Sequence, residues 1–356
     1  MYINQFPQRK TILLTGASGV VGQALLARLH AHSVICLTYR KPISHPNATT
    51  IPCDISLPGL GLSQTQLKDM AKCVDCIVHS AAITDFGETD ELIHRTNVRG
   101  LENMLELAAI AQVPFYYIST AFIRPHQRKD GPLEHTYTIS KREGERLVRE
   151  SRLPYAIIRP SIVIGDSTSG EIARFQGIYN IISSLFRGFL PILPMLPQAY
   201  IDFIPQDVVA NAIAGLIEHD CVAGEYWLTS GNKALMVRQI ADLIAEFGKN
   251  QGIEINIPRM VSPDIVDRLI RPAFMSELPK SVKKGFDWFA QVAPYLCNEE
   301  PFPMSLPEME TRFGVAPLPH LETALTHSLE YWASQTRVCS GAKAKKDRVQ
   351  LAKCEC

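Results

Sequence analysis

The chain has 356 residues, 46% hydrophobic and 20% charged, an ordinary balance for a folded globular protein and enough length for one large α/β domain with an appended lobe. Lys plus Arg and Asp plus Glu both number 36, and the zero net charge excludes a nucleic-acid binder that relies on global charge. The nine cysteines are scattered without zinc-type pairing, so no metal site is expected and they read as reduced thiols of a cytoplasmic protein.

In chain order, MYINQFPQRK holds no apolar signal core. Ile12 to Leu14 form an apolar β-type run ending at Thr15, and Gly16, Gly19 and Gly22 follow at three-residue spacing. An amphipathic helix, Val20 to Ala31, begins inside that series. Strand, glycine turn and helix is the order a dinucleotide-binding turn requires. The first glycine permits the tight turn, the second lets the backbone approach a pyrophosphate, and the third lets the helix pack close to the strand. Ser18, Gly19, Val20 and Val21 then present helix-terminal N–H groups and partial positive charge to phosphate.

Ser33 to Thr38 predicts a second strand, followed by Tyr39, Arg40 and Lys41. Thr49 to Cys53 predicts a third, with Asp54 and Ile55 at its carboxyl end, and a polar helix covers Ser63 to Lys72. Cys73 and Cys76 form an isolated CxxC that reads as core packing, because Cys76 opens the fourth strand, Cys76 to Val78. That strand runs out into His79, Ser80, Ala81 and Ala82. A long helix spans Asp90 to Gln112, with Leu101, Met104, Leu105 and Ala108 at helical spacing. Phe115 to Ser119 is the fifth strand, ending at Thr120; Tyr137 to Ser151 is a charged helix; Tyr155 to Arg159 is the sixth strand. This alternation implies an α/β fold with a parallel, doubly wound sheet of Rossmann type.

After Gly165 the pattern is less regular. Ile178 to Ile204 is the nearest approach to the ~20 apolar residues of a membrane span, but Arg187, Asp202, Pro191, Pro194 and Pro197 break it. It reads as a substrate lid, with peripheral membrane contact left open. A helix at Gln206 to His219, a strand at Glu225 to Thr229 and a helix at Val237 to Phe247 follow; residues 257–319 read as proline-rich and loop-heavy, and a last helix covers Leu321 to Ser334. From Thr336 the chain is poor in apolar residues and reads as a disordered tail; its Cys354-Glu355-Cys356 end lacks the prenylation pattern. The expected division is a nucleotide-binding domain over 1–165 with contributions from about 199–230, a smaller mixed substrate lobe over 166–335, and a tail over 336–356.

Tyr137 and Lys141 stand four apart on a helix and so share a face. An ammonium there is expected to lower the phenol pKa from about 10, suiting the Tyr to donate a proton to a carbonyl oxygen that receives hydride. Thr120 ends the preceding strand, on the carboxyl side where such sheets bind ligands. Cofactor choice turns on the end of the second strand. An acidic residue there would accept a ribose hydroxyl; Arg40 and Lys41 instead suit a 2′-phosphate, so NADPH is expected in preference to NAD.

Together these residues resemble the extended short-chain dehydrogenase/reductase family. The match comprises TGASGVVG at Thr15–Gly22, Asp54-Ile55, HSAA at His79–Ala82, Asn97 in RTNVRG, Ser119-Thr120, YTISK at Tyr137–Lys141 and RPSIVIG at Arg159–Gly165. The resemblance implies carbonyl positioning for Thr120, proton transfer for Tyr137, and ribose binding and Tyr activation for Lys141. It also implies adenine contact for Asp54 and Ile55, cofactor contact for Ser80, Ala81, Ala82 and Asn97, and the nicotinamide side for Pro160, Ile162 and Val163. The interval from Thr120 to Tyr137, which would form the loop over the substrate, is short for such a member.

YIST at Tyr117–Thr120, RPSIVIGDSTSGE at Arg159–Glu171 and YIDFIPQDVVANAI at Tyr200–Ile213 are similar to the narrower, male-sterility-type branch of fatty acyl-CoA and thioester reductases. That branch implies hydride delivery to an acyl thioester, acyl-CoA or carrier-bound, giving an aldehyde or alcohol. Ile178 to Leu196 then suits an acyl chain, or is an ordinary buried helix with a loop. Arg174 and Arg187 meet a phosphopantetheine phosphate or are solvated charges. A ketone or aldehyde reductase of the dihydroflavonol or 3β-hydroxysteroid type, a sugar-nucleotide epimerase and a non-catalytic nucleotide sensor all stay open, because they share the catalytic residues or the fold. A homodimer also stays open.

Overall fold

The computed structural model describes residues 9–123, 134–188, 190, 192–274, 283, 292–293, 295 and 298–336. The expected tail beyond Thr336 and most of the loop between Thr120 and Tyr137 lie outside the described residues. The chain divides into two compact units. Described residues within Met1–Val163, Gln206–Thr229 and Pro303–Leu318 form the first; those within Ile164–Pro205, Ser230–Phe302 and Pro319–Cys356 form the second.

The first unit is built on seven parallel strands: β1 Thr11–Thr15, β2 Ser33–Thr38, β3 Ala48–Pro52, β4 Cys76–His79, β5 Phe115–Ile118, β6 Tyr155–Pro160 and β7 Ala223–Leu228. Their order is β7-β6-β5-β4-β1-β2-β3. In register, Thr15 of β1 stands beside Leu37 of β2 and His79 of β4. The order reverses at β1, so the carboxyl ends of β1 and β4 flank the crevice in which such sheets hold ligands.

Helices α1 Val20–Arg28, α2 Gln64–Cys73, α3 Asp90–His94, α4 Gly100–Ala111 and α5 Thr136–Glu150 follow β1, β3, β4 and β5. On one face of the sheet Leu13, Ile77, Phe115, Tyr117 and Ile157 pack with Leu67 and Met70 of α2, Leu101 and Met104 of α4 and Val148 of α5. The opposite face carries α1 and α6 Gln206–Glu218, which pack on each other. Tyr116, pointing away from its neighbours on β5, donates to the Leu216 carbonyl of α6 at 3.4 Å. Alternate strand residues thus feed two apolar layers, and this is the doubly wound arrangement.

Two expectations need correction. The long helix over 90–112 is interrupted: Arg95–Arg99 form a π-type turn between α3 and α4, an insertion that periodicity averages away. The proline-rich stretch 257–319 contains a helix, Leu306–Phe313, with Pro307 in its first turn. Proline lacks only an N–H that the first turn leaves unpaired anyway. This helix packs on α6, with Leu306 and Met309 buried.

In the second unit, helix Ile178–Phe186 buries Ile178, Tyr179, Ile181, Ile182 and Leu185. Phe186 meets Trp332 of helix Leu321–Gln335 at 5.0 Å and Phe247 of helix Val237–Asn250 at 6.2 Å between ring centroids. The apolar residues expected to form a lid are therefore core of this unit, while Arg174 and Arg187 are exposed. Two short pairings join Tyr200–Ile201 to Leu235–Met236 and Ile192–Leu193 to Arg259–Met260. No helix among the described residues is long and apolar enough to cross a membrane, and none of their His, Cys, Asp and Glu side chains cluster as a metal site.

The glycine turn sets the closest approach in the first unit. Gly16 has φ +74°, and a Cβ on Gly22 would stand 2.1 Å from the Gly16 carbonyl oxygen, against 3.2 Å for one on Gly19. Gly22→Ala is expected to destabilise the protein by about 1–3 kcal/mol, the cost of overpacking. Gly19→Ala should cost less, both being read from urea midpoints at unchanged m-value.

Candidate functional site

The carboxyl edge of the sheet has a half-buried rim above a fully buried interior. Gly16, Ser80, Ala81, Ala82, Ile162 and Val163 are half-buried, while the strand residues beneath them are buried. Thr15 organises the rim: its hydroxyl accepts from the Ala81 N–H at 3.1 Å and is hydrogen-bonded to His79 Nδ1 at 3.0 Å. A Cβ on Gly16 would stand 2.6 Å from Ala81 N, so the turn and the β4 exit pack backbone to backbone. Gly19 caps α1 without a side-chain bond and the first helical turn carries no acidic residue, which leaves its N–H groups to an anion. Beyond β2, Arg40 is exposed and its guanidinium lies 4.9 Å from the Tyr39 ring centroid.

Asp54 Oδ1 accepts from Ser56 N and Oγ at 2.9 and 2.7 Å, and Asn103 donates to the Ile55 carbonyl at 2.7 Å. Asn97 lies in the π-type turn. It donates both amide hydrogens, to Ile83 O and Ser140 Oγ, each at 3.0 Å, and accepts from Ile83 N at 2.8 Å. In this structure its side chain braces the β4 exit against α5.

Thr120, Tyr137 and Lys141 come together. All three are buried, and the Thr120 hydroxyl acts on the Tyr137 phenol to lower its pKa. Lys141 Nζ donates to the Ile118 carbonyl at 2.7 Å and lies 4.9 Å from the Tyr117 ring centroid. One turn further along the same helix face, Glu145 accepts from Arg159 Nε and Nη2 at 2.8 and 2.7 Å and from Ser119 Oγ at 2.7 Å. Arg149 and Glu225 complete this cluster. Sequence reasoning passed over Glu145, although the four-residue row Tyr137, Lys141, Glu145, Arg149 is visible in the sequence. Its partner Arg159 is brought to it only by the fold.

Residues 38–213 match the family model described as "Male sterility protein", an NAD-binding domain. Over those residues the chain is similar to a male-sterility-type NAD-binding domain. Fusarin C synthetase of Gibberella fujikuroi is 29% identical over 273 residues, which cover 68% of this chain and 7% of that protein. The chain thus spans a small fraction of that relative's length. Two solved structures share the fold. The terminal R domain from the myxalamid PKS-NRPS biosynthetic pathway superposes with TM-score 0.74 at 22% identity, over 92% of this chain and 91% of that one. A thiolation-reductase di-domain from an archaeal non-ribosomal peptide synthetase superposes with TM-score 0.68 at 18% identity, over 93% of this chain and 76% of that one. The family model supports NAD binding over residues 38–213, and the two solved structures share the fold.

The residues of the glycine turn and its rim fit a nicotinamide dinucleotide. The glycine turn leaves helix-terminal donors for a pyrophosphate, and the buried Ser161 Oγ beside Pro160 has no partner among the described residues. Burial governs the charges beneath. It pushes the Tyr137 phenol up to about 12, with only the Thr120 hydrogen bond acting the other way. The expected lowering by Lys141 is therefore overridden in this structure: desolvation disfavours the phenolate, and the ammonium that would favour it is itself disfavoured. Lys141 is pushed down from 10.5 to about 7, with Glu145 holding it up. His79 is pushed down to about 3 by burial and Lys141, so it is neutral.

A Lys whose folded pKa is depressed binds its proton first in the unfolded chain. Native stability from this group is full above pH 10.5 and is lost as pH falls towards about 7. Relative to wild type, Lys141→Met should therefore gain stability as pH falls across that window and level off below it, measured by denaturant unfolding at each pH.

Proposed function

We propose that this chain is a reductase of acyl thioesters that draws hydride from NADPH. The observation that carries the reading is the buried trio of Thr120, Tyr137 and Lys141 at the carboxyl end of β5, with Lys141 held on the Ile118 carbonyl. Two converging hydroxyls on one side of a ligand crevice suit a carbonyl oxygen that gains negative charge. A phenol held up to about 12 is protonated at neutral pH, which is the form that donates. Likeness to a terminal R domain from a PKS-NRPS pathway and to a thiolation-reductase di-domain supports an acyl group on a phosphopantetheine thiol as the substrate.

A bound nicotinamide would supply a hydride for the thioester carbonyl carbon. Tyr137 gives its proton to the oxygen while Thr120 orients that oxygen, and the product is a hemithioacetal. Its C–S bond then breaks, the hydroxyl proton passes to the thiolate, and an aldehyde and a free thiol leave. Lys141, over the Tyr117 ring and on the Ile118 carbonyl, would hold the ribose side, and its ammonium returns a proton to the Tyr137 phenolate. Arg40, exposed beyond β2 with its guanidinium over the Tyr39 ring, would take the 2′-phosphate by paired N–H bonds.

With an acyl-pantetheine thioester, one thiol should appear per NADPH consumed in the first reduction. No thiol across a chain-length panel, together with turnover of ketones, would overturn the reading. Tyr137→Phe should lower kcat by roughly 10²–10⁴ while NADPH still binds. Arg40→Ala should raise the NADPH KM by about ten- to hundredfold, the worth of a charged hydrogen bond, and leave that for NADH unchanged; equal effects on both cofactors would remove the 2′-phosphate assignment.

A further inference from the structure

Tyr137 is the second residue of α5, and its backbone N–H is one of the donors that a helix leaves without an internal carbonyl. His135 takes it. The imidazole Nδ1 accepts from Tyr137 N at 3.1 Å, standing where Ser, Thr, Asp or Asn more often caps a helix. The other ring nitrogen, Nε2, lies 3.1 Å from the Phe86 carbonyl oxygen. An accepting Nδ1 leaves the proton on Nε2, so Nε2–H donates to Phe86 and the ring is neutral in one tautomer.

The rings reinforce the link. Phe86 and His135 centroids are 4.2 Å apart, and Phe86 and Tyr137 centroids 5.7 Å apart. Thr136 Oγ1 donates to Asp90 Oδ1 at 2.5 Å, and the His135 carbonyl accepts from Thr138 Oγ1 at 2.8 Å and Ile139 N at 3.1 Å. The first turn of α5, with Tyr137 on it, is thereby fastened to the segment between β4 and α3.

We propose that His135 is a positioning residue for proton transfer, holding Tyr137 in place by bridging its backbone N–H to the Phe86 carbonyl. The proposal rests on the assignment of Tyr137 as proton donor. Only the neutral imidazole makes both bonds; a proton on Nδ1 would set two donors against each other. Burial keeps the ring's pKa below the ordinary 6.5, outweighing the bond to the Phe86 carbonyl and the nearby carboxylates Asp90 and Asp85, all of which favour the imidazolium. Tyr137 is its titratable neighbour on α5, and the adjacent Glu134 is paired with Arg142. The bridge therefore persists at neutral pH and is lost on the acid side.

The test uses the full chain, NADPH and an acyl-pantetheine thioester, with His135→Ala, His135→Asn and Tyr137→Phe. Asn supplies a capping oxygen without the second ring nitrogen. Both His135 variants should lose about ten- to hundredfold in kcat, the cost of a misplaced reacting group. NADPH affinity by fluorescence and the melting temperature of His135→Asn should stay at wild-type values. Wild-type kcat should fall along a one-proton limb below pH 6.5, and that limb should be missing in His135→Asn. Wild-type kcat in His135→Asn, or an unchanged acid limb, overturns the proposal, since His135 would then be no more than a cap. Lost turnover in Tyr137→Phe with wild-type turnover in His135→Asn overturns this proposal alone. Wild-type turnover in Tyr137→Phe overturns the Tyr137 assignment and the proposal with it.

Discussion

Glu145 and Arg159 meet through two hydrogen bonds of 2.8 and 2.7 Å, both side chains almost fully buried. The remaining bonds of Glu145 go to Ser119 and Arg149, and Arg159 also reaches Glu225. One turn of α5 is thus joined to β5, β6 and β7 together. A buried ion pair is weak evidence of net stability, because desolvation of both charges offsets most of their attraction, yet removing one partner costs about 3–5 kcal/mol. What the pair fixes is position. Thr120 follows Ser119, and Lys141 and Tyr137 lie one and two turns before Glu145 on the same face. The hydroxyl pair keeps its geometry because the helix beneath it cannot slide.

The same burial sets protonation. Without water to solvate charge, the phenol holds its proton and the Lys ammonium becomes less favourable, with Glu145 as the compensating charge. A single physical term therefore prepares a neutral donor above and a tunable cation below. His79, neutral and stacked about 6 Å from Phe115 and Tyr117, adds no further charge to this layer.

Much of this was legible in the sequence, for reasons that can be named. β2 runs over Ser33–Thr38 as its β-branched, apolar pattern predicts, and α2 begins after Ser63 because Ser63 and Gln66 form a reciprocal capping box. The π-type turn at Arg95–Arg99 was hidden because an inserted residue leaves the apolar spacing of α4 intact. Helix Leu306–Phe313 was hidden because prolines were weighed as breakers without asking where in a turn they fall. At the site, spacing shows that Tyr137 and Lys141 share a face, but not that burial outweighs their mutual effect. It is likewise silent on the bridge from His135 to Phe86, which joins residues far apart in the chain.

β7 and helix Leu306–Phe313 reach the first unit only after long excursions through the second. During synthesis β1 to β6 emerge first, and β6 then stands as an open edge with unpaired backbone groups. Arg159 lies on that provisional edge, and Glu225, its outer partner, arrives with β7. Closure of such long loops raises contact order and slows folding. The segment that completes the sheet is also the one that covers its buried arginine, so acquisition of the finished edge and of charge neutrality becomes a single late event in the life of the chain.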